Sequence, residues 1–283
     1  YYNKPGFFLK IKGTASEREF KQTGEMGISY CVKYVGMDLS LDGFAVESLS
    51  GDAAKFKSAV STVRSSSKKP LILMSKDAAV LSAGLELLSG ETPLLYSADS
   101  TNWEVMTDLA MKSSAALVVK GNSLEELADL TQKIKGKGLN DLVLDPGSSD
   151  LSSSLAQNTQ IRRLALKKNF RALGYTLIDF PDAMGDSALA PINAVQALTK
   201  YASFIVFENF KPEAMYPLLV LRENIYTDPQ KPIQVTPGLY EIKNPSPEDP
   251  VLVTTNFSIT YFSVANEIES AGIPAWLLVT DAE

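Results

Sequence analysis

Leu71-Ile72-Leu73-Met74, then Asp77-Ala78-Ala79-Val80-Leu81-Ser82-Ala83-Gly84-Leu85-Glu86-Leu87-Leu88, then Leu94-Leu95-Tyr96-Ser97 is the stretch on which the fold turns. Its outer segments are short and almost wholly apolar, as a strand must be when both of its faces are covered. Between them Val80, Leu81, Leu85 and Leu88 recur at helical spacing and share one face. A strand, an amphipathic helix and a second strand of this kind form a crossover, and the crossover pairs the two strands in parallel.

Outward from this unit the pattern repeats. Further strands are expected at Phe7–Ile11, Phe44–Glu47, Ala116–Val119, Leu142–Leu144, Thr176–Ile178 and Phe204–Phe207. Amphipathic helices are expected at Ala53–Val63, with Phe56, Val60 and Val63 inside, and at Leu124–Ile134, with Leu124, Leu127, Leu130 and Ile134 inside. Asn122-Ser123 before Glu125-Glu126, and Ser100 before Thr101-Asn102-Trp103-Glu104, read as helix caps. Eight alternations within about 225 residues, closed by a helix at Glu213–Arg222, predict an α/β fold: a TIM (β/α)8 barrel over residues 1–225. Gly13–Asp42 fits this scheme least well, with a short helical pattern at Ser16–Gln22 and a polar, hairpin-like stretch after it.

Pro229, Pro232, Pro237, Pro245, Pro247 and Pro250 forbid a long helix and predict a stiff linker over 226–250. Val251–Val253, Ser258–Ala271 and Ala275–Val279 then read as strand, helix and strand, one βαβ unit over 251–283. Two strands cannot bury an independent core, so this unit is expected to open a larger domain. The chain begins Tyr1-Tyr2-Asn3-Lys4-Pro5-Gly6, without an initiator Met or a charged-then-apolar leader, and is expected to start within a longer polypeptide.

Composition narrows the chemistry. A formal charge of −6 argues against nucleic acid or an anionic membrane as partner. No apolar run approaches the roughly 20 residues that cross a bilayer. There is no histidine and a single cysteine, Cys31. That excludes Ser-His-Asp and Cys-His catalysis, a His-ligated metal, and a four-thiolate cluster held by this segment alone. Cys31 lies in an alternating stretch, Ile28 to Tyr34, and is expected to be an inert, half-buried thiol; a lone cysteine fits a cytoplasmic protein.

Thr254-Thr255-Asn256-Phe257-Ser258 is the foremost candidate site, at the end of a strand that feeds a helix, where open α/β sheets bind ligands. Exposed helix amides and small hydroxyls there can hold amide or phosphate groups; the alternative is a plain cap, with Ser258 on the helix amides and Asn256 making the turn. Tyr261 and Phe262 follow one turn later, one for the core and one free to rest against a ligand. Asp145-Pro146-Gly147 ends the sixth barrel strand, where Asp145 is either a general acid–base or pterin-binding group or a carboxylate that caps the next helix and fixes a tight turn. Arg162, Arg163, Lys167, Lys168 and Arg171 make a basic helix, with 163, 167 and 171 forming a stripe that is either solvated or docks an acidic partner. Trp103 and Trp276 read as packing residues.

Three stretches carry a resemblance: Asp141–Gly147 with Thr159–Lys168 and Phe170-Arg171; Lys200–Ala202 with Pro217–Leu219 and Asn224–Gln230; and Pro250–Phe262 with Glu267–Ser270. Pro70–Leu88 and Pro93–Tyr96 add to it more weakly. In these the chain resembles the large (gamma) subunit of the corrinoid iron–sulfur protein of the acetyl-CoA decarbonylase/synthase (Wood–Ljungdahl) system. The resemblance implies a TIM barrel followed by the start of a Rossmann-like domain that holds a cobamide. It further implies a [4Fe-4S] cluster on an N-terminal domain outside this chain, and pairing with a small TIM-barrel subunit. It places Thr254, Thr255, Asn256, Phe257, Ser258 and Tyr261 against the cobamide, with no catalytic residue and no protein-held metal in this chain.

The function so implied is a methyl carrier, taking methyl from methyltetrahydrofolate or an archaeal analogue through a methyltransferase and passing it by way of cobalt to acetyl-CoA synthase. This chain departs from the family in lacking the cysteine-rich start and most of the corrinoid domain. The alternatives are an independent TIM-barrel enzyme on a pterin or phosphate-containing substrate, with Asp145 and Asp179 at the strand ends, and a purely structural module that holds a partner subunit.

Overall fold

The structure, a computed structural model, describes residues 3–13, 24–226 and 233–282. The helical pattern at Ser16–Gln22, and Pro229 and Pro232 of the expected linker, lie outside the described residues. In chain order the elements are β1 (Gly6–Lys12), α1 (Glu25–Ser29), β2 (Cys31–Tyr34), β3 (Met37–Ser40), β4 (Gly43–Glu47), α2 (Ala53–Ser66), β5 (Leu71–Met74), α3 (Ala78–Leu85), β6 (Leu94–Ala98) and α4 (Trp103–Ser113). There follow β7 (Ala116–Lys120), α5 (Leu124–Gly136), β8 (Leu142–Asp145), α6 (Leu151–Lys167), β9 (Thr176–Asp179), α7 (Ala190–Thr199), β10 (Ala202–Phe207) and α8 (Pro212–Tyr226). The last are β11 (Gly238–Ile242), β12 (Val251–Thr255), α9 (Ser258–Ala271) and β13 (Ala275–Thr280).

Eight parallel strands close a barrel in the order β1-β10-β9-β8-β7-β6-β5-β4, so the eight expected strands are all present. Closure is made by β1, which pairs with β10 (Phe8 opposite Val206) and with β4 (Leu9 opposite Phe44). Alternation along each strand sorts the side chains. Phe8, Ala45, Ile72, Val118, Val143, Ile178 and Val206 fill the barrel interior, while Leu9, Phe44, Leu73, Leu95, Leu117, Leu144 and Ile205 point the other way and are buried under the helices. Both faces are covered, which is why these strands read as unbroken apolar runs.

The helix ends follow local chemistry. Asp52, Asp77, Ser123 and Asp150 cap α2, α3, α5 and α6, each accepting from backbone amides of the first turn, an arrangement that contributes about 1 kcal/mol per cap. The expected cap at Ser100 is not used: α4 begins after Asn102 without a side-chain cap, and Asp99 takes the Thr101 amide instead at 2.8 Å. The basic stripe also ends sooner than its spacing predicts. Asn169 at φ +54 turns the chain out of α6, the Phe170 amide closes back on the Leu164 carbonyl at 3.0 Å, and Arg171 starts a separate 3-10 turn.

The chain divides into two compact units. The barrel unit is built from the described residues of Lys4–Tyr30 and from Leu41–Leu218; the other contains Cys31–Ser40 and the described residues from Leu219 onward. In the second unit β2 and β3 form an antiparallel hairpin whose two-residue turn, Val35-Gly36, has φ +48 and +81. Cys31 is exposed there rather than half-buried, because a two-stranded ribbon offers its first residue no covering layer. A three-stranded sheet in the order β11-β13-β12 completes the unit, and its first strand lies within the proline-rich stretch. The strands β12 and β13 are parallel across α9, and β11 is antiparallel to β13. Ala265 and Ile268 of α9 bury Ile242, Ala275, Leu277 and Val279. Leu239, Leu278 and Val253 form one cross-strand row on the opposite face, and all three are exposed.

Candidate functional sites

Each barrel strand ends at the same rim, and the rim collects charge. Lys10, Glu47, Tyr96, Lys120, Asp145, Asp179 and the post-strand Glu208 surround a cleft of about 190 Å³, the position at which barrels of this kind carry their sites. Lys10, whose side chain is buried, pairs with Glu208 and with Glu47, the latter at 3.5 Å. Tyr96 donates its phenol proton to Asp145 Oδ2 at 2.7 Å, and Lys120 Nζ lies 3.3 Å from the same phenol and 3.7 Å from the carboxylate. Burial and the adjacent Asp145 push the Tyr96 phenol above its usual range, so it remains a neutral donor. The other oxygen of Asp145 accepts the Gly147 amide at 2.8 Å, which fixes the turn; Gly147 stands at φ +68, a conformation suited to glycine. Asp145 therefore makes its turn without capping α6.

Asp179 is buried beside α6, where Asn158 Nδ2 and Ser154 Oγ donate to Oδ2 at 3.1 and 3.3 Å. Burial outweighs these bonds and pushes its carboxyl up to about 6, within reach of acid–base chemistry near neutral pH. The cleft thus holds four carboxylates and two lysines, with both lysines already engaged. Of these residues the sequence singles out Asp145 and Asp179. Glu47, Lys120 and Glu208 share one signal, a polar residue closing or following an apolar strand, whereas Lys10 and Tyr96 lie inside theirs, and only barrel closure shows that all of them converge.

The second cluster lies at the end of β12. Thr254 and Thr255 are the last residues of the strand, Asn256 follows, Phe257 is the residue before α9, and Ser258 is its first residue. Asn256 is a clamp: its side chain donates to Asp281 Oδ1 and accepts from the Ala282 amide, both at 3.2 Å, while its backbone amide donates to the Thr280 carbonyl at 2.9 Å. Ser258 does not cap the helix; its hydroxyl donates to the Val35 carbonyl at 3.3 Å, and α9 has no side-chain cap. Tyr261 packs with Tyr240 at 5.2 Å between ring centroids, and Phe262 sits edge-on to Tyr261 at 5.0 Å. The hydroxyls of Thr254 and Thr255 are buried and make no hydrogen bond. Five of the six expected ligand-contact residues are thus consecutive at one strand end, two of them with unused polar atoms.

The fold and these two sites define an α/β protein of the (β/α)8-barrel class carrying an appended β-α-β unit. Solved dihydropteroate synthases share the barrel: that from Thermus thermophilus, in complex with 6HMPPP, superposes with a TM-score of 0.58 at 17% identity, over 80% of this chain and 96% of that one. The enzyme from Vibrio fischeri ES114 gives 0.57 at 13%, over 81% and 96%. At such identities the likeness is one of fold.

The chain belongs to the CO dehydrogenase/acetyl-CoA synthase delta subunit family, whose profile matches residues 1–283. The corrinoid/iron-sulfur protein large subunit of Moorella thermoacetica is 41% identical over 285 residues, covering 100% of this chain and 63% of that protein. The acetyl-CoA decarbonylase/synthase complex subunit gamma of Archaeoglobus fulgidus is 34% identical over 295 residues with the same coverage. The family profile carries the delta name, whereas these individual relatives are named large or gamma subunits. The chain spans 63% of the length of these relatives. Among the described residues no helix is long and apolar enough to cross a membrane.

Proposed function

We propose that this chain is the barrel and the opening of the corrinoid-binding domain of a methyl-carrying large subunit. That subunit would accept methyl from methyltetrahydrofolate or an archaeal analogue and deliver it to acetyl-CoA synthase. Family membership and the names of the relatives support the setting. The single structural observation that carries the reading is the pair of buried, unpartnered hydroxyls at Thr254 and Thr255, beside a helix start that has no side-chain cap. Buried polar groups are ordinarily satisfied, so two adjacent orphans at a strand end fit an external ligand rich in amide and phosphate acceptors.

A cobamide meets that description, and when bound it supplies the metal centre on which the methyl group travels. This chain's own part is positional. Thr254 and Thr255 would donate to the ligand's acceptors, while Asn256 and Ser258, already bonded within the protein, hold the loop in shape. Phe257 would lie at the loop edge, and Tyr261 would back the loop from the small core. The one cysteine cannot supply a cluster's four thiolates, so the [4Fe-4S] centre would belong to another part of the protein.

The test is an anaerobic visible spectrum of the full-length protein purified with its small TIM-barrel subunit. Corrinoid bands that change on reduction support the carrier; a complex that stays colourless after cobamide is added overturns it. The rim cleft favours a second reading, an enzyme acting on a pterin or a phosphate-containing substrate, with Asp179 as its acid–base group. Turnover by this chain alone, abolished in Asp179→Asn, would establish that reading.

A further inference from the structure

The second unit is not continuous in the chain. Its hairpin, β2 and β3, comes from residues 31–40, whereas its three-stranded sheet and the loop at 254–258 follow residue 233. The two parts meet at the hairpin's turn. Ser258 Oγ donates to the Val35 carbonyl at 3.3 Å. One residue on, the Gly36 α-carbon lies close against the buried Val235. A Cβ at position 36 would stand 2.8 Å from Val235 Cγ2 and 3.5 Å from Val235 Cβ. Gly36 therefore serves twice, taking φ +81 in the turn and leaving room for Val235.

Val235 in turn backs the candidate loop. Its amide donates to the Asn256 carbonyl at 2.7 Å, and the Ser258 amide donates to the Ile233 carbonyl at 2.9 Å. Residues 233–235 thus run antiparallel to 256–258, with Gln234 bridged to Phe257. This strip takes the first amide of α9, a helix without a side-chain cap. Asn256 is held from one side by Thr280, Asp281 and Ala282, and from the other by Val235. Hairpin turns are ordinarily surface features, yet this one rests on the strip and is bonded to the residue that starts α9.

We infer that the Val35-Gly36 turn is a positioning element for the loop at 254–258. It holds the 233–235 strip against Asn256 and Ser258, and so sets where the neighbouring Thr254 and Thr255 hydroxyls stand. The inference rests on the reading of that loop as a cobamide contact. A contact made by a few hydrogen bonds is lost when its donors move by about 0.5 Å, so the residues behind them govern affinity.

The experiment titrates cobalamin into the ligand-free full-length protein, purified with its small subunit, and follows the visible spectrum of the bound corrinoid. Amide hydrogen exchange at Val235 and Ser258 is measured on the same ligand-free samples. Gly36→Ala drives a methyl group into Val235. It is expected to weaken binding about tenfold, the worth of one hydrogen bond, and to speed exchange at both amides. Val235→Ala removes the methyl groups that this new side chain meets. Added to Gly36→Ala, it is expected to restore binding to within about threefold of wild type. The turn keeps its strain in both variants, so rescue reports the contact with Val235 and not the turn.

Wild-type affinity in Gly36→Ala overturns the inference and leaves the carrier reading standing. Binding that stays tenfold weak in the double variant traces the effect to turn strain and also overturns it. If urea denaturation shows that Gly36→Ala does not fold, Val235→Ala alone decides: weaker binding with faster Ser258 exchange supports the positioning role, and wild-type affinity overturns it. A wild-type protein that binds no cobalamin overturns both the inference and the carrier reading.

Discussion

Tyr96 and Asp145 are bonded across the strand that separates them: the phenol on β6 donates to the carboxylate on β8 at 2.7 Å, over the top of β7. The bond staples the barrel rim. Asp145 is 5% exposed and would otherwise share one oxygen only with the partly exposed Lys120. Tyr96→Phe removes a hydrogen bond to a buried charge, and the expected loss is about 2 kcal/mol in urea denaturation. A change below about 0.5 kcal/mol would show that water replaces the phenol without cost.

Asp179 gives the barrel a pH dependence of definite sign. Its folded value of about 6 lies above the ordinary 3.8, so the native state holds the proton more tightly than the unfolded chain. The stabilisation from this group is complete below about pH 3.8 and is lost as pH rises through about 6. Above that range the buried charge costs roughly 3 kcal/mol. Asp179→Asn keeps an acceptor for Asn158 and Ser154 and removes the charge. The variant is expected to be more stable than wild type at pH 8 by about 1–3 kcal/mol and to lose the advantage by pH 4. Parallel wild-type and variant stability curves from pH 4 to 8 would show that the carboxyl is not shifted.

Thr254→Val separates a ligand contact from a packing role. The hydroxyl is buried and unpartnered, so without ligand the substitution is expected to be neutral or stabilising by up to about 1 kcal/mol. In the full-length protein the same variant is expected to bind cobamide about tenfold more weakly, the worth of one hydrogen bond. Destabilisation of the ligand-free protein with unchanged cobamide affinity would assign Thr254 to the core alone.

Val35 occupies the first position of the hairpin turn at φ +48, where a β-branched side chain is strained and Asn is favoured ahead of Gly36. Val35→Asn leaves the carbonyl that accepts the Ser258 hydroxyl in place. A gain of about 1 kcal/mol in denaturant stability is expected. A loss instead would mean that the half-buried valine side chain contributes more than its backbone costs.

Much of the fold is legible because its signals are local. Leu71–Met74 can be read as a doubly covered strand from four consecutive apolar residues, and the expected strand ends fall within two residues of those observed. The candidate loop at 254–258 is legible for the same reason, lying where a strand gives way to a helix. Capping is less legible. Ser258 has the residue type of an N-cap, yet its hydroxyl is drawn to a carbonyl more than 200 residues away in sequence. The rim is legible only in part, since nothing in the spacing of Lys10, Tyr96 and Glu208 places them around one cleft.

The sequence by itself determined the barrel's strands, their parallel pairing and the barrel, because helical and strand periodicities are properties of neighbouring residues and short crossovers leave few topologies. Tertiary structure alone decided which charges meet. Lys10 pairs with Glu208 because β1 and β10, at opposite ends of the barrel's chain order, become neighbours when the sheet closes. It also decided that Asp179 is buried enough to hold its proton near neutral pH. It left the Thr254 and Thr255 hydroxyls without partners, while Asn256 beside them is fully used. Desolvation and hydrogen-bond satisfaction depend on what surrounds an atom in three dimensions, and residues distant in the chain supply those surroundings.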